Sequence, residues 1–192
     1  MAEESALKSV RQQLIIAGIE EINNYGIQGF SVRRIANKCG VSCAAPYKHF
    51  KDRNSFVAAI IEYINNQWAE RQRKILADIP SNTRKQLVAV SIEYVRFLLE
   101  NPHFRSIIML KDEEFDNTYK NMRSQLSGMS LKLINQYCKE TNIPENIAKR
   151  KIYIIRSLIY GAALMFDNGE LEYTEENMRI VEFSIDREFD LP

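Results

Sequence analysis

Hydrogen-bond donors and positive charges concentrate between residues 31 and 51. The segment holds hydroxyl, guanidinium, ammonium and imidazole groups, on Ser31, Arg33, Arg34, Ser42, Tyr47, Lys48, His49 and Lys51. Each of these groups can bind phosphate oxygens, by charge or by hydrogen bonding. From Gly26 to Arg53, six basic side chains face Asp52 alone, a net charge of +5, whereas the whole chain carries only +1. The segment therefore predicts phosphate binding.

Two short helices joined by a tight turn would position these groups. Ser31 is a candidate N-cap for a helix over 32–38, because its hydroxyl can accept a free backbone N–H. Gly40 suits the turn, where a positive φ is often needed, and Ser42 is a candidate cap for a second helix over 43–48. Two helices around a glycine-containing turn form a helix-turn-helix, which places its second helix in the DNA major groove. The pattern predicts a DNA-binding regulator.

The same residues resemble the signature of the tetracycline-repressor (TetR) family. The resemblance covers about residues 8–60 and rests on Tyr25-Gly26 and on four later motifs, Ser31-Val-Arg-Arg-Ile-Ala, Gly40-Val-Ser, Tyr47-Lys-His-Phe and Lys51-Asp-Arg. The family implies a homodimeric transcription regulator, usually a repressor. It also implies a small-molecule effector in the C-terminal body, whose binding changes the separation of the two DNA-binding heads. One departure is Pro46, where leucine is more usual; the missing N–H predicts a recognition helix that begins later or is tighter.

Individual residues of the motif have alternative roles. Arg33 and Arg34 are candidate phosphate ligands, although one of two adjacent arginines can instead form a surface ion pair. By analogy with the family, Ala44 and Ala45 face base edges; the alternative is that they only favour a helix. Tyr47, Lys48, His49 and Lys51 are the favoured phosphate contacts, while His49 could instead pack over the start of the next helix. Ser31 and Ser42 can cap helices and bind phosphate together.

The remaining sequence predicts an all-α fold of about nine helices. The whole chain has only five prolines and seven glycines, most of them at expected helix ends, and apolar residues recur at helical spacing. We expect a three-helix head over 1–51 and a ligand-binding and dimerisation domain over 52–192, which begins with a connecting helix over 52–77. The first helix is predicted over 5–25. The C-terminal part is acidic, which favours placing it away from DNA.

Two sets of residues in the body are candidates for binding. An apolar or aromatic effector pocket is predicted from Phe97, Met109, Phe115, Tyr119, Met122, Tyr153 and Tyr160, each of which could equally be ordinary core. A dimer interface is predicted from Ile155, Leu158, Ala162, Met165, Met178, Val181 and Ile185. The alternative is that these side chains all pack within one subunit.

The composition offers no site for other chemistry. Two histidines, no glycine-rich phosphate loop and no metal-ligand spacing predict neither an enzyme nor a bound metal or cofactor. Cys39 and Cys43 could form a redox pair, but packing roles are the simpler interpretation. Three cysteines, and Glu3 and Glu4 where a secretory signal would be basic, favour the cytoplasm. The alternative function is an all-α ligand-binding or interaction protein without sequence-specific DNA binding.

Overall fold

The computed structural model describes the backbone of residues 9–79, 82–108 and 117–191, and their side chains except those of 105–107 and 117–127. These ranges contain eight α-helices, one 3-10 helix and no strand, so the predicted all-α class is confirmed. The α-helices are α1 (Val10–Tyr25), α2 (Val32–Lys38), α3 (Arg53–Asp78), α4 (Thr83–Glu100), α5 (Pro102–Ile108), α6 (Asn117–Glu140), α7 (Glu145–Asp167) and α8 (Glu175–Glu188). The 3-10 helix, Pro46–Lys48, lies between α2 and α3.

The described residues divide into two compact units. In the chain, the first comprises Met1–Asn66 and His103–Ser124, and the second comprises Gln67–Pro102 and Gln125–Pro192. Helix α3 begins in the first unit and ends in the second. The predicted boundary after residue 51 therefore stays a prediction, since the connecting helix belongs partly to each unit.

The first unit is built around aromatic and β-branched side chains. Phe50 stacks on Phe56 with ring centroids 4.0 Å apart, and Phe30 meets Phe56 edge-on at 5.3 Å. Helix α1 lies close to α3 at Gly18, where a Cβ atom would come within 2.6 Å of the Ile60 side chain. This close packing fixes the two helices that flank the segment 31–51.

Helix α1 begins at Val10, whereas the sequence predicted a start at Ser5; residues 5–8 lie outside the described part of the chain. The start is fixed by a capping box. The Ser9 hydroxyl accepts the Gln12 N–H at 3.3 Å, and the Gln12 side chain accepts the Ser9 N–H at 3.2 Å. This reciprocal pair of hydrogen bonds satisfies two backbone N–H groups that would otherwise be free, and it therefore fixes the N-terminal end of α1 at Val10.

In the second unit, helices α4, α7 and α8 pack against one another. Arg84 of α4 binds both Asp186 and Asp190 near the end of α8, with N–O distances of 2.7 and 2.5 Å. Lys151 of α7 is buried and donates to the carbonyl oxygens of Glu188 and Leu191 at 2.6 and 2.7 Å. These cations satisfy the free carbonyl groups at the end of α8 and fix it to its neighbours.

Candidate nucleic-acid interface and effector cavity

The segment that would form the recognition helix is a turn followed by one 3-10 turn. The Ala45 N–H donates to the Ser42 carbonyl at 2.9 Å, and the Lys48 N–H donates to the Ala45 carbonyl at 3.1 Å. The predicted α-helix over 43–48 is therefore wrong, and so is the predicted cap, because Ala45 rather than Ser42 precedes the helix. Pro46 is the physical reason: it has no N–H and lies at the first position of the 3-10 helix.

Four side chains of this segment extend into solvent without an ion pair or a hydrogen bond to the described residues. Arg33, Tyr47, Lys48 and Lys51 are all exposed, and within the described part of the chain none of them forms an ion pair or hydrogen bond. Arg33 lies on α2, Tyr47 and Lys48 on the 3-10 helix, and Lys51 just before α3. Three of them are cations, which leaves their charge available for an external anion.

The other three cations bind groups inside the unit. Arg34 donates to the Glu21 carboxylate at 2.8 Å, and its guanidinium lies 4.3 Å from the centre of the Tyr25 ring. Lys38 pairs with Glu20, and Arg53 donates to backbone carbonyls of the 27–30 turn. The pairing with Glu20 holds the pKa of Lys38 above its usual range. The net charge of +5 in the sequence therefore overstates the charge free to bind phosphate.

The remaining predicted contacts have mixed surroundings. Ser31 caps α2, its hydroxyl accepting the Arg34 N–H at 3.4 Å, while its own N–H donates to Glu21 at 3.1 Å. Ser42 and Ala44 are exposed and Ala45 is half-buried. His49 is exposed, and its ring is tilted relative to that of Phe50, with the two ring centroids 6.2 Å apart. This arrangement is compatible with both predicted roles of His49, phosphate contact and packing over the start of the next helix. As DNA contacts, these positions stay predictions.

The start of α3 fixes the position of the segment that precedes it. Asp52 caps α3, its carboxylate accepting the Ser55 N–H at 2.7 Å, and the Ser55 hydroxyl accepts the Asp52 N–H at 2.9 Å. These bonds hold the pKa of Asp52 below its usual range. Phe50 is buried against Phe56, so the exposed Tyr47 and Lys48 extend from an anchored turn.

The segment 31–51 lies in a part of the chain that is similar to known proteins. Residues 14–60 match the model for bacterial regulatory proteins of the tetR family. The matched range includes all the exposed groups described above. Residues 14–60 therefore form a DNA-binding module of the tetR family type.

Curated relatives match less than half of the chain. The HTH-type transcriptional regulator BetI of Proteus mirabilis (strain HI4320) is 36% identical over 86 residues, which span 43% of each protein. BetI of Yersinia pestis (strain Pestoides F) is 32% identical over 82 residues, 42% of this chain and 41% of the relative. The match thus spans less than half the length of these relatives.

Solved structures match nearly the whole chain in fold. A TetR family transcription regulator from Marinobacter aquaeolei VT8 superposes with a TM-score of 0.75 at 17% identity, over 93% of this chain and 94% of that one. Bacillus subtilis FadR in complex with stearoyl-CoA gives a TM-score of 0.68 at 16% identity, over 91% and 95%. At these identities the likeness establishes the helical fold.

A small cavity of about 40 Å³ lies between α4, α6 and α7 in the second unit. Its apolar wall is formed by Leu87, Leu131, Ile134, Ile152, Ile155 and Ile159. Its polar lining consists of Ser91, Ser130, Tyr94, Tyr160 and Arg156. Burial raises the pKa of the Tyr94 hydroxyl, and its interaction with Tyr160 raises that pKa further, so Tyr94 stays a neutral phenol. The cavity combines an apolar wall with neutral hydroxyls and one cation.

Only one of the effector-pocket residues predicted from the sequence lines this cavity. Tyr160 does; Phe97 is buried beside Trp68, and Tyr153 is 72% exposed. Met109 and Phe115 lie outside the described residues, and the side chains of Tyr119 and Met122 are not described. Sequence reasoning missed Tyr94 and Arg156. Arg156 stands four residues before Tyr160 in α7, a spacing that places two side chains on one helix face and was a usable signal.

The residues predicted for a dimer interface are mostly buried within one subunit. Ile155, Ala162, Met178, Val181 and Ile185 are all buried in the second unit, as in the alternative that the sequence left open. Leu158 is half-buried and Met165 is exposed. Besides Met165, large apolar side chains are exposed on α7 and α8 at Tyr153, Leu164, Ile180 and Phe183.

The described residues contain no group of three histidine, cysteine, aspartate or glutamate side chains placed to hold a metal ion. None of their helices is long and apolar enough to cross a bilayer. Cys39 is half-buried with its Sγ 3.7 Å from the Gln13 carbonyl, and Cys43 is exposed.

Proposed function

We propose that this protein is a transcription regulator that binds an operator through the segment 31–51. The observation that carries the proposal is the group of exposed, unpaired donors on Arg33, Tyr47, Lys48 and Lys51, which lie in the part of the chain that matches the family model. Cations without internal partners release counterions from DNA when they bind phosphates, which supplies affinity. Such a regulator acts in the cytoplasm, where its operator is.

Matched lysine variants test the DNA-binding role. Lys48→Ala removes an exposed, unpaired cation, and Lys38→Ala removes a cation that Glu20 already neutralises. In a gel-shift titration with DNA from upstream of the gene, Lys48→Ala weakens binding and Lys38→Ala changes it little. Equal effects of the two variants, or no preference of the wild-type protein for this DNA over random DNA at physiological salt, would contradict the proposal.

The regulator acts as a homodimer in this proposal. Helices α7 and α8 pack together, and each exposes large apolar side chains; Phe183 on α8 is 64% exposed and Leu164 on α7 is 55% exposed. Exposed apolar stripes of this kind are typical of association surfaces. A second copy is the occupant that a two-fold operator requires.

Charge substitutions on these stripes test the dimer. Leu164→Glu and Phe183→Glu place a carboxylate on the proposed interface and shift the protein to monomers in sedimentation velocity. Val10→Glu, an equivalent change at an exposed residue of α1, leaves the dimer intact. A wild-type monomer at micromolar concentration rules the dimer out.

A small-molecule effector in the second unit releases the regulator from DNA in this proposal. Support comes from the cavity between α4, α6 and α7 and from the fold shared with FadR, whose structure contains stearoyl-CoA. The proposed role is repression, with release on effector binding. It is tested by transcription of the adjacent gene from a template with and without the protein, where activation would contradict it.

A further inference from the structure

The cavity lining combines apolar and polar side chains from all three helices. Helices α4 and α6 contribute leucine and isoleucine side chains together with Ser91, Tyr94 and Ser130, while α7 contributes three isoleucines, Arg156 and Tyr160. The Arg156 guanidinium lies 5.8 Å from the centre of the Tyr160 ring, and the Tyr160 ring lies 6.4 Å from that of Tyr94. One cation and two phenol hydroxyls therefore cluster at one end of an apolar space.

The charge at this end is uncompensated. The cavity lining contains no aspartate or glutamate, and Arg156 has no carboxylate partner among the described residues. The Arg156 guanidinium gives this end one positive charge. An amine would be repelled there and would find no acceptor carboxylate, whereas an anion would gain a charge-assisted hydrogen bond.

We propose that the effector is a small organic carboxylate with an apolar body, whose carboxylate binds Arg156 and whose body contacts the isoleucines of α7. The proposal rests on the proposed function, since it names the chemical class bound at the same cavity. A planar carboxylate carries one charge and matches the fork of one guanidinium.

Binding must enlarge the cavity. Its volume of about 40 Å³ accommodates little more than one water molecule. Arg156 is exposed and Tyr160 is half-buried, so these two side chains can move outward with the least loss of buried surface. Tyr94 packs between Tyr160 and Trp68, 4.8 Å from the Trp68 ring. Trp68 is the only tryptophan of the chain, and its fluorescence therefore reports occupancy of the cavity.

Pairs of ligands with the same body and opposite charge test the inference. We would titrate the protein without DNA with benzoate and benzylamine, and with octanoate and octylamine, and follow Trp68 emission and the melting temperature. At least one carboxylate shifts both signals with saturation, and its amine does not. Arg156→Met weakens carboxylate binding about tenfold or more, the cost of one charge-assisted bond. Arg150→Met, an exposed arginine on the same helix outside the cavity lining, leaves it unchanged.

The outcomes separate this inference from the proposed function. Amines that bind as well as their carboxylates, carboxylate binding that survives Arg156→Met, or no binding by either carboxylate each overturn the inference. A carboxylate that binds through Arg156 but does not weaken DNA binding supports the ligand class and contradicts the regulatory role. If the wild-type protein does not bind DNA, the proposed function is contradicted, while the result on the ligand class is unaffected.

Discussion

Adjacent arginines of α2 are expected to have opposite roles, and substituting each in turn tests the assignment. Arg33 is exposed and has no partner in the described chain, whereas Arg34 binds the buried carboxylate of Glu21 and covers the Tyr25 ring. We expect Arg33→Ala to weaken DNA binding at unchanged stability. Arg34→Ala is expected to destabilise the fold and to affect DNA binding little at a temperature where the protein stays folded.

The size of the Arg34 effect follows from the burial of the two partners. Breaking a fully buried ion pair costs about 3–5 kcal/mol, and an exposed pair contributes about 0–1 kcal/mol. The Glu21 side chain is 8% exposed and that of Arg34 is 48% exposed, so the pair lies between these limits. The Ser31 N–H still donates to Glu21 after the substitution. We therefore expect a loss of about 2 kcal/mol, or a fall in melting temperature of about 4–8 °C.

Binding to a fluorescent duplex of random sequence, measured by anisotropy at several salt concentrations, isolates the phosphate contacts. The slope of log K against log salt falls by about 0.9 for each phosphate that the protein no longer neutralises, so Arg33→Ala lowers it by about 1 for each head. Thermal melting followed by circular dichroism measures stability in the same buffer. The stability of Arg33→Ala stays within about 0.5 kcal/mol of wild type.

A double variant controls for the charge that Arg34→Ala leaves behind. Glu21→Gln with Arg34→Met removes both charges and keeps the side-chain volumes similar, so the net charge of the head is unchanged. If this double variant loses as much salt dependence as Arg33→Ala, then Arg34 binds phosphate and the assignment is wrong. A marked fall in the melting temperature of Arg33→Ala would likewise show that Arg33 has an internal partner.

Three further substitutions test other parts of the structure. Gly40→Ala places a side chain at φ +66° and should destabilise the first unit by about 1–2 kcal/mol in a denaturant titration, although nothing lies within 4 Å of the new Cβ. Lys151→Met removes the cation from the buried carboxylate of Glu188, 3.8 Å away, and should cost about 3–5 kcal/mol; a loss below about 1 kcal/mol would show that the pair is not closed in solution. Hydrogen bonding and charge from Arg84 hold the pKa of Asp190 below its usual range. The stability that Asp190 contributes is therefore present above the pKa of the unfolded state and is lost as the pH falls through the pKa of the folded state. Asp190→Asn should flatten the acid side of the plot of stability against pH, and an unchanged plot would refute the coupling between Arg84 and Asp190.

Local sequence signals account for several helix ends in this chain. Ser31 caps α2, as predicted, and the observed end of α4 at Glu100 and start of α3 are explained by Asn101-Pro102 and by the Asp52 cap. These signals act over three or four residues, and a sequence displays them directly. The recognition segment does not form the α-helix predicted over 43–48, but it does begin later and is tighter, as the missing N–H of Pro46 predicted.

The free charges of the head were beyond such local rules. Arg34 and Lys38 find Glu21 and Glu20 in the preceding helix, 13 and 18 residues earlier in the chain. Their pairing depends on how α1 packs against α2, which spacing along the sequence does not specify. The cavity also depends on packing and could not be predicted from spacing along the sequence, because Tyr94 and Tyr160 come together only when α4 and α7 pack. Sequence alone identified the motif, and packing decides which of its side chains are free.

The short recognition segment also limits how the proposed regulator can read DNA. Bidentate contacts from arginine, asparagine or glutamine supply about 1–3 kcal/mol of discrimination per base pair, and residues 43–48 contain none of these three types. Ala44 and Ala45 can contact only apolar groups, and Lys48 and Tyr47 suit phosphates better than base edges. One head therefore discriminates weakly between sequences. Specificity in a dimer must then come largely from the spacing of two heads, about one helical turn of 34–36 Å or a multiple, and from the shape of the DNA. A regulator of this kind is well suited to effector control, because a change in spacing removes both specificity and affinity at once.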